Sequence, residues 1–351
     1  HWGPIPWGFY LVLSAAFGFM LHVRKRTRQK YSEACRPVLG NKVDGIAGKL
    51  IDLIAVFALL AGTATTFSLA TPLLAGAISS VTGIPQSTGL TLVILVIVCA
   101  IYTFSVYFGM KGVQLSAATC TWLFFGLLAY VFFFGGQTRF IIEEGITALG
   151  NLTQNFIGLA TWTDSLRTSS FPQTWTIFYW AYWMVWCVAV PFFIGSISKG
   201  RTLRQVILGG YVFGLSGTFT SFIIMGNYGL GLQMHGKLDV LSTYTADGNL
   251  YHAILDILGQ LPLSKAVLVL LVLCMITFYS TSFDSITMVA STYTYKELKS
   301  DEEPHRNVKL FWAIFLILLP LALIFSENSM TNLQTVSIIA AFPVGIIMLN
   351  I

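Results

Sequence analysis

Charged residues are scarce in this chain. Of its 351 residues only 10% are Asp, Glu, Lys or Arg, while 55% are hydrophobic. Soluble domains carry about 25% charged residues, so the composition excludes an ordinary soluble fold. Repeated apolar runs of roughly 20 residues predict an all-α, polytopic membrane protein, because a helix satisfies its own backbone in lipid.

Motifs for metal binding, disulfides and catalysis are also missing from the sequence. The five cysteines form no CxxC pair, and four fall in apolar runs, which is typical of buried packing residues. The five histidines lie at span ends or in loops, which disfavours an intramembrane enzyme. No filter-like backbone motif or charged ring indicates a channel. The net charge of +5 comes from short loops and indicates no nucleic-acid partner. We expect no cofactor.

Nine apolar segments are candidate spans. The loop after the first span carries Arg24, Lys25, Arg26, Arg28 and Lys30, and strict alternation of nine spans places the later basic loops on that same, cytoplasmic side. The chain begins without Met at the mouth of one apolar run and ends inside another, so we expect a piece of a longer protein. The spans cover approximately 5–23, 48–77, 90–108, 115–134, 173–197, 206–225, 263–293, 308–324 and 333–351.

Two segments are too polar to span. Residues 139–160, which contain Glu143 and Glu144, predict an amphipathic helix on the outer surface. Residues 227–260 predict an outer segment with a short helix and a lid-like loop.

Aromatic side chains are concentrated between positions 175 and 186, where seven of twelve residues are aromatic. At 3.6 residues per turn, Trp175, Tyr179, Trp183 (or Tyr182) and Trp186 fall on one helix face. An interfacial girdle or core packing is the ordinary explanation of such a stretch. A girdle occupies helix ends, however, whereas this ladder covers three turns.

A second aromatic cluster opens the chain, with Trp2, Trp7 and Tyr10 near a helix start marked by prolines. Alone it is typical of an outer-leaflet belt. Together the two clusters predict a box of ring faces. Such a box suits a fully methylated nitrogen, which cannot donate a hydrogen bond but is attracted to ring faces.

At these residues the sequence resembles the betaine/carnitine/choline transporter (BCCT) family. The resemblance extends over essentially the whole chain, from the family's fourth helix into its twelfth. It implies a LeuT-like inverted-repeat fold, one transporter domain over residues 1–351 lacking the first three helices, a homotrimer and a bacterial inner-membrane location. The motifs are His1-Trp2-Gly3-Pro4-x-Pro6-Trp7, Phe108-Gly109-Met110-Lys111-Gly112-Val113, Trp175-Thr-Ile-Phe-Tyr-Trp180-Ala-Tyr182-Trp183 and Ile197-Ser198-Lys199-Gly200-Arg201-Thr202.

The family also implies roles for the aromatic residues. Its signature has Trp-Trp where this chain has Tyr182-Trp183. The tyrosine indicates either a substrate with a polar group near the nitrogen or a neutral variation. By position, the substrate box comprises Trp2, Trp7 and Tyr10 on one side and Tyr182, Trp183 and Trp186 on the other, with Trp175 and Tyr179 on the outward path.

Coupling to sodium is implied by hydroxyl residues at two places, Thr63, Thr65 and Thr66 on the fifth family helix and Thr281 and Ser282 on the tenth. The ordinary alternative is that each hydroxyl bonds to the carbonyl four residues earlier. Sodium-independent carnitine/γ-butyrobetaine exchangers of the family have an arginine where this chain has Cys120, which favours a sodium-coupled importer over an exchanger. A choline importer is a further alternative.

Asp284, within the tenth family helix, has two interpretations. It is either a proton-sensitive coupling group or a structural carboxylate capped by neighbouring hydroxyls. The surrounding Ser and Thr residues favour the structural role.

Overall fold

A computed structural model describes residues 2–108, 110–247, 249–298, 302–324 and 330–351. Side chains are described for the same ranges except 105–108, 110–116, 246–247, 319, 321–324 and 330–333. His1 and Gly109 of the quoted motifs lie outside the described residues, as do the side chains of the second motif.

Within these ranges every regular element is helical. Several long helices contain π-helical turns: α1 ends in one, α6 begins with one, and α8 contains two. The main helices are α1 Pro4–Val23, α2 Ile46–Thr82, α3 Thr88–Phe108, α4 Met110–Phe134, α5 Thr138–Gln154, α6 Pro172–Trp186, α7 Val190–Ile197, α8 Leu203–Met234, α9 Val240–Asp247, α10 Leu250–Gly259, α11 Ser264–Thr292, α12 Arg306–Ile324 and α13 Met330–Met348.

Each of the nine predicted spans coincides with helical structure. By length and composition, five helices in the described ranges can cross a membrane: α1, α2, α4, α8 and α11. The bent pair α6–α7 makes a sixth span if it is counted as one. The described parts of α3 and α13 are shorter apolar helices. The chain is therefore a multi-pass α-helical membrane protein.

The predicted span 173–197 is broken. α6 and α7 are bent by 46° at the break after Trp186, and Pro191 stands in the first turn of α7. Proline lacks the N–H that would continue the hydrogen-bond ladder, which accounts for a helix start here. The break places the aromatic stretch at the end of a half-helix in the core.

The non-spanning segments differ in part from expectation. The predicted surface helix forms as α5 followed by a short helix, Phe156–Thr161. The predicted outer segment 227–260 begins later than expected, because residues 227–234 continue α8. Two short helices, α9 and α10, make up the rest. The outer location of both segments stays a prediction.

The helices around the bend share one large core. Phe67 of α2 and Phe283 of α11 are fully buried and stack with ring centroids 4.2 Å apart. α2 and α6 approach closely at Gly62, where a Cβ atom would lie 2.8 Å from the Val185 side chain and 3.2 Å from Trp186. The small residue therefore permits contact between α2 and the aromatic helix.

The basic loop after α1 is joined to the chain that follows α11. Leu298 N donates to Thr27 O at 2.7 Å, and Gln29 Nε2 donates to Leu298 O at 3.3 Å. Thr292 Oγ1 donates to Gln29 O at 2.8 Å. We call this set of contacts the loop clasp.

Candidate functional site

The aromatic residues of α6 form two stripes rather than one ladder. Tyr179 and Trp183 have ring centroids 6.0 Å apart, and both contact aromatic rings of α1 or the residues just before it. Phe178, Tyr182 and Trp186 follow one another at 5.8 and 6.1 Å, and the last two of them contact α2. The predicted single face is thus divided, because adjacent helical positions point about 100° apart.

Trp183 lies against two rings of α1. Its ring centroid is 5.6 Å from that of Trp7 and 4.6 Å from that of Tyr10, and Trp7 and Tyr10 are 6.0 Å apart. The interplanar angles at Trp7 are 65° and 76°, so its ring meets the other two nearly at right angles. We call Trp7, Tyr10 and Trp183 the ring triad.

The ring triad offers several aromatic faces and edges within a small volume. A cation interacts with a ring when it lies within about 6 Å of the centroid, so a cation that enters among these rings can contact all three, and entry requires the touching rings to separate. Tyr10 is only 6% exposed, so a cation that enters here would exchange much of its water for ring faces. Cation–π attraction is strongest in such a desolvated place.

Trp2 lies elsewhere than predicted. It stacks on Tyr179 at 4.6 Å and on Phe171 at 5.7 Å, and its Nε1 donates to Thr176 Oγ1 at 3.3 Å. Trp2 precedes the first turn of α1, so helical spacing does not align it with Trp7. It therefore contacts Tyr179, one of the residues predicted to line an access path, rather than the ring triad.

The residues predicted to line an access path lie next to the ring triad. Phe171, Trp2, Tyr179 and Trp183 follow one another in ring contact. Trp175 is half-buried in the π-helical turn just before Tyr179. Sequence reasoning did not single out Phe171, whose position beside Trp2 depends on the preceding loop.

That loop is organised by Asp164. The Asp164 carboxylate accepts hydrogen bonds from the backbone N–H groups of Ser169 and Ser170, at 2.8 Å each, and from Thr168 Oγ1 at 2.8 Å. The Ser169 backbone bond and the Thr168 hydroxyl hold the pKa of Asp164 well below its usual range. An Asp with Thr-Ser-Ser beginning four residues later, at Thr168, is a local turn signal that the sequence contains. The carboxylate fixes the chain immediately before Phe171.

Tyr182 and Trp186 face α2. The Tyr182 hydroxyl contacts Thr66 Oγ1, and Trp186 is only 8% exposed beside Gly62. In the described ring contacts, these two predicted substrate residues join Phe178 rather than the ring triad. The Tyr182 hydroxyl, the departure from the family signature, has a protein partner.

The predicted sodium residues do not converge in the described contacts. Thr63, Thr65, Thr66 and Thr281 each donate to the carbonyl four residues earlier, at 2.6 to 2.9 Å. Thr65 also contacts Ser337 of α13 at 2.9 Å. Thr281 lies beside Cys120 of α4, and Ser282 is exposed. Thr65 and Thr66 of α2 therefore face α13 and α6, whereas Thr281 faces α4.

All four threonines make the hydrogen bond to their own helix that the alternative interpretation predicts. A hydroxyl that donates its proton still has lone pairs, so such a threonine can also ligate a cation. Asp284 is fully buried in α11 near Tyr102. Within the part of the chain that the structure describes, no three His, Cys, Asp or Glu side chains are grouped to hold a metal ion.

Membrane-crossing helices, a bent helix in the core and an aromatic cluster between two helices place the chain in the class of polytopic helical membrane proteins, in which broken helices are typical of transporters. The chain belongs to the betaine/carnitine/choline transporter family, whose family model matches residues 1–351. This is a family of transporters and not of enzymes.

Curated relatives carry names that agree with this family. The chain is 29% identical over 351 residues to a carnitine transporter of Acinetobacter baumannii, and 31% identical over 355 residues to a glycine betaine transporter of Bacillus subtilis. It is 30% identical over 352 residues to a probable glycine betaine transporter of Desulfitobacterium hafniense. Each match covers 99% of this chain but only 63%, 67% and 69% of the respective relative.

Proposed function

We propose that the protein imports a quaternary ammonium zwitterion of the betaine or carnitine type by secondary active transport. The observation that carries the proposal is the ring triad, in which three aromatic rings from two helices meet with centroids no more than 6.0 Å apart. A trimethylammonium group needs attraction without hydrogen bonding, and ring faces supply it. The names of the relatives support this substrate class.

Phe171, Trp2 and Tyr179 form the route to the ring triad in this proposal. Two stacked pairs, at 5.7 and 4.6 Å, precede Trp183. A methylated cation that moves along these rings exchanges one weak aromatic contact for another, so no single position on the path traps it. The path also implies that the rings part when substrate passes, since stacked faces are not accessible to a cation.

We further propose coupling to Na⁺, which is a co-transported ion here and not a resident cofactor. Sodium is a hard cation that suits oxygen ligands, and Thr281 and Ser282 of α11 offer hydroxyl oxygens. Support comes from Cys120, which lies beside Thr281. Cys120 occupies the position at which the sodium-independent exchangers of the family have an arginine. The threonines of α2 are weaker candidates, because Thr65 and Thr66 already contact Ser337 and Tyr182.

The family membership supports three further parts of the proposal: a LeuT-like arrangement of inverted repeats, a homotrimer, and location in a bacterial inner membrane. Cross-linking in native membranes tests the trimer.

Substrate and coupling are tested separately. Binding of glycine betaine, carnitine, γ-butyrobetaine and choline to the protein in nanodiscs is measured by tryptophan fluorescence. Uptake of the tightest ligand into proteoliposomes is then measured with and without Na⁺ at fixed pH and membrane potential. We expect binding of a trimethylammonium compound and Na⁺-dependent uptake. Full uptake in Na⁺-free buffer, driven by exchange for internal carnitine, would instead establish the exchanger.

A further inference from the structure

The indole of Trp7 is held by a helix to which the sequence assigned no functional role. Trp7 Nε1 donates to Thr218 Oγ1 of α8 at 3.1 Å. Thr218 Oγ1 in turn donates to Gly214 O, also at 3.1 Å. The hydroxyl proton of Thr218 is thus directed to the helix backbone, and its oxygen accepts from the indole.

The flat side of the same indole lies on Gly214. A Cβ atom at Gly214 would come within 2.5 Å of Trp7 Cη2 and Cζ2, closer than real Cβ contacts allow. One turn earlier, a Cβ at Gly210 would come within 2.0 Å of Leu11. The absence of side chains at these two positions is therefore what lets α1 lie directly against α8.

The local backbone accounts for this arrangement. Gly210 begins a π-helical segment, Gly210–Leu215, inside α8. A π-helical turn is wider than an α-helical turn and occurs frequently at functional sites. Gly210, Gly214 and Thr218 are spaced four apart, and all three face α1. Two independent contacts, one to the ring face and one to the ring nitrogen, then fix both the position and the rotation of the indole.

Resting on the proposed substrate site, we infer that Gly214 and Thr218 are positioning residues for the cation: they hold the Trp7 ring nearly perpendicular to Trp183 and so set the shape of the ring triad. Neither residue needs to touch substrate for this role. A cation–π contact depends on where the ring face points. Loss of the Thr218 hydroxyl, or addition of a side chain at Gly214, therefore weakens binding of the methylated head although Trp7 itself is not substituted.

The test uses Thr218→Val, which keeps the β-branched shape and removes the acceptor. We expect glycine betaine affinity, measured by calorimetry in nanodiscs, to fall about fivefold, the effect of one net hydrogen bond. Thr218→Ser should restore it. The matched control is Thr220→Val on the same helix, with wild-type affinity expected. Gly214→Ala should weaken binding more than Thr218→Val, because it displaces the ring itself.

The decisive comparison places Thr218→Val in a Trp7→Phe background. A positioning role predicts no further loss there, since phenylalanine has no ring N–H to hold. An equal loss in both backgrounds, or wild-type affinity in Thr218→Val, overturns the inference. Trp183→Leu separates this result from the parent proposal. If Trp183→Leu binds glycine betaine normally, the substrate site itself is wrong. If Trp183→Leu fails to bind while Thr218→Val binds normally, only the positioning role is wrong.

Discussion

Trp183 and Trp186 are three residues apart on α6, yet the structure predicts that their replacement by leucine affects different properties of the protein. Trp183 contacts both α1 rings of the ring triad. Trp186 is 8% exposed and packs beside Gly62 of α2. Trp183→Leu should therefore weaken ligand binding, and Trp186→Leu should lower stability.

The expected size of each effect follows from the environment. A cation–π contact contributes about 1 kcal/mol at an exposed site and about 2 kcal/mol when desolvated. Trp183 is half-buried and its neighbour Tyr10 is buried, so we expect a loss of about 1–2 kcal/mol. That loss corresponds to a 5- to 30-fold higher Kd, since 1.4 kcal/mol is tenfold. Trp186→Leu leaves a cavity in the core and should cost roughly 1–3 kcal/mol of stability.

The assay compares glycine betaine with its carbon isostere, 3,3-dimethylbutanoate, which keeps the carboxylate and the shape of the head but lacks the positive charge. Calorimetry on wild type should show a clear preference for the ligand with the cationic head, and Trp183→Leu should reduce that preference. Trp186→Leu should keep the preference while its Tm falls. The reasoning is refuted if Trp183→Leu retains both wild-type affinity and wild-type charge preference, or if Trp186→Leu alone loses them.

Three further predictions concern the surroundings of the ring triad. Tyr182→Phe removes the hydroxyl that contacts Thr66. We expect about 1 kcal/mol lower stability and a glycine betaine affinity within about twofold of wild type. A selective loss of carnitine binding would show that the hydroxyl contacts substrate instead. Asp164→Asn should raise the amide exchange rate of Ser169 at neutral pH. The pKa of Asp164 is depressed, so its contribution is present above about pH 4 and is lost as pH falls through the lower folded value. The wild type and the variant should therefore converge in acid, and a difference independent of pH would exclude the carboxylate as the cause. Thr281→Ala should raise the Na⁺ concentration needed for half-maximal uptake, and an unchanged Na⁺ dependence would exclude Thr281 as a ligand.

The sequence predicted the helical class and the two aromatic clusters because both depend on local composition. Hydrophobic runs long enough to span a bilayer can be recognised in the sequence whatever the tertiary arrangement. The i, i+3 pair Trp7 and Tyr10 and the i, i+4 pair Tyr179 and Trp183 come together as helical geometry requires. These two pairs were therefore accessible from spacing alone.

The division of the α6 aromatics was accessible in part. Phe178, Tyr182 and Trp186 are spaced four apart, as are Trp175, Tyr179 and Trp183, so two stripes could have been distinguished from one. Which stripe faces α1 depends on the packing of α2 at Gly62, and no local pattern encodes that contact.

The role of α8 was not accessible from spacing. Thr218 is 211 positions from Trp7, and the π-helical turn that brings Gly210 and Gly214 towards α1 has no signature in the sequence. The same applies to the partners of the α2 threonines, because a hydroxyl that bonds to its own helix can face any of several neighbouring helices.

The loop clasp has a mechanical consequence. Thr27 and Gln29 follow α1, which carries Trp7 and Tyr10, while Thr292 and Leu298 lie at or just beyond the end of α11, which carries Thr281. Three hydrogen bonds join these ends, each with a net strength on the order of 1 kcal/mol. Any motion that separates α1 from α11 at the basic side must first break them. The clasp thus joins the helix that carries two rings of the ring triad to the helix that carries the candidate sodium ligands, so a displacement of either helix on this side strains the same three hydrogen bonds.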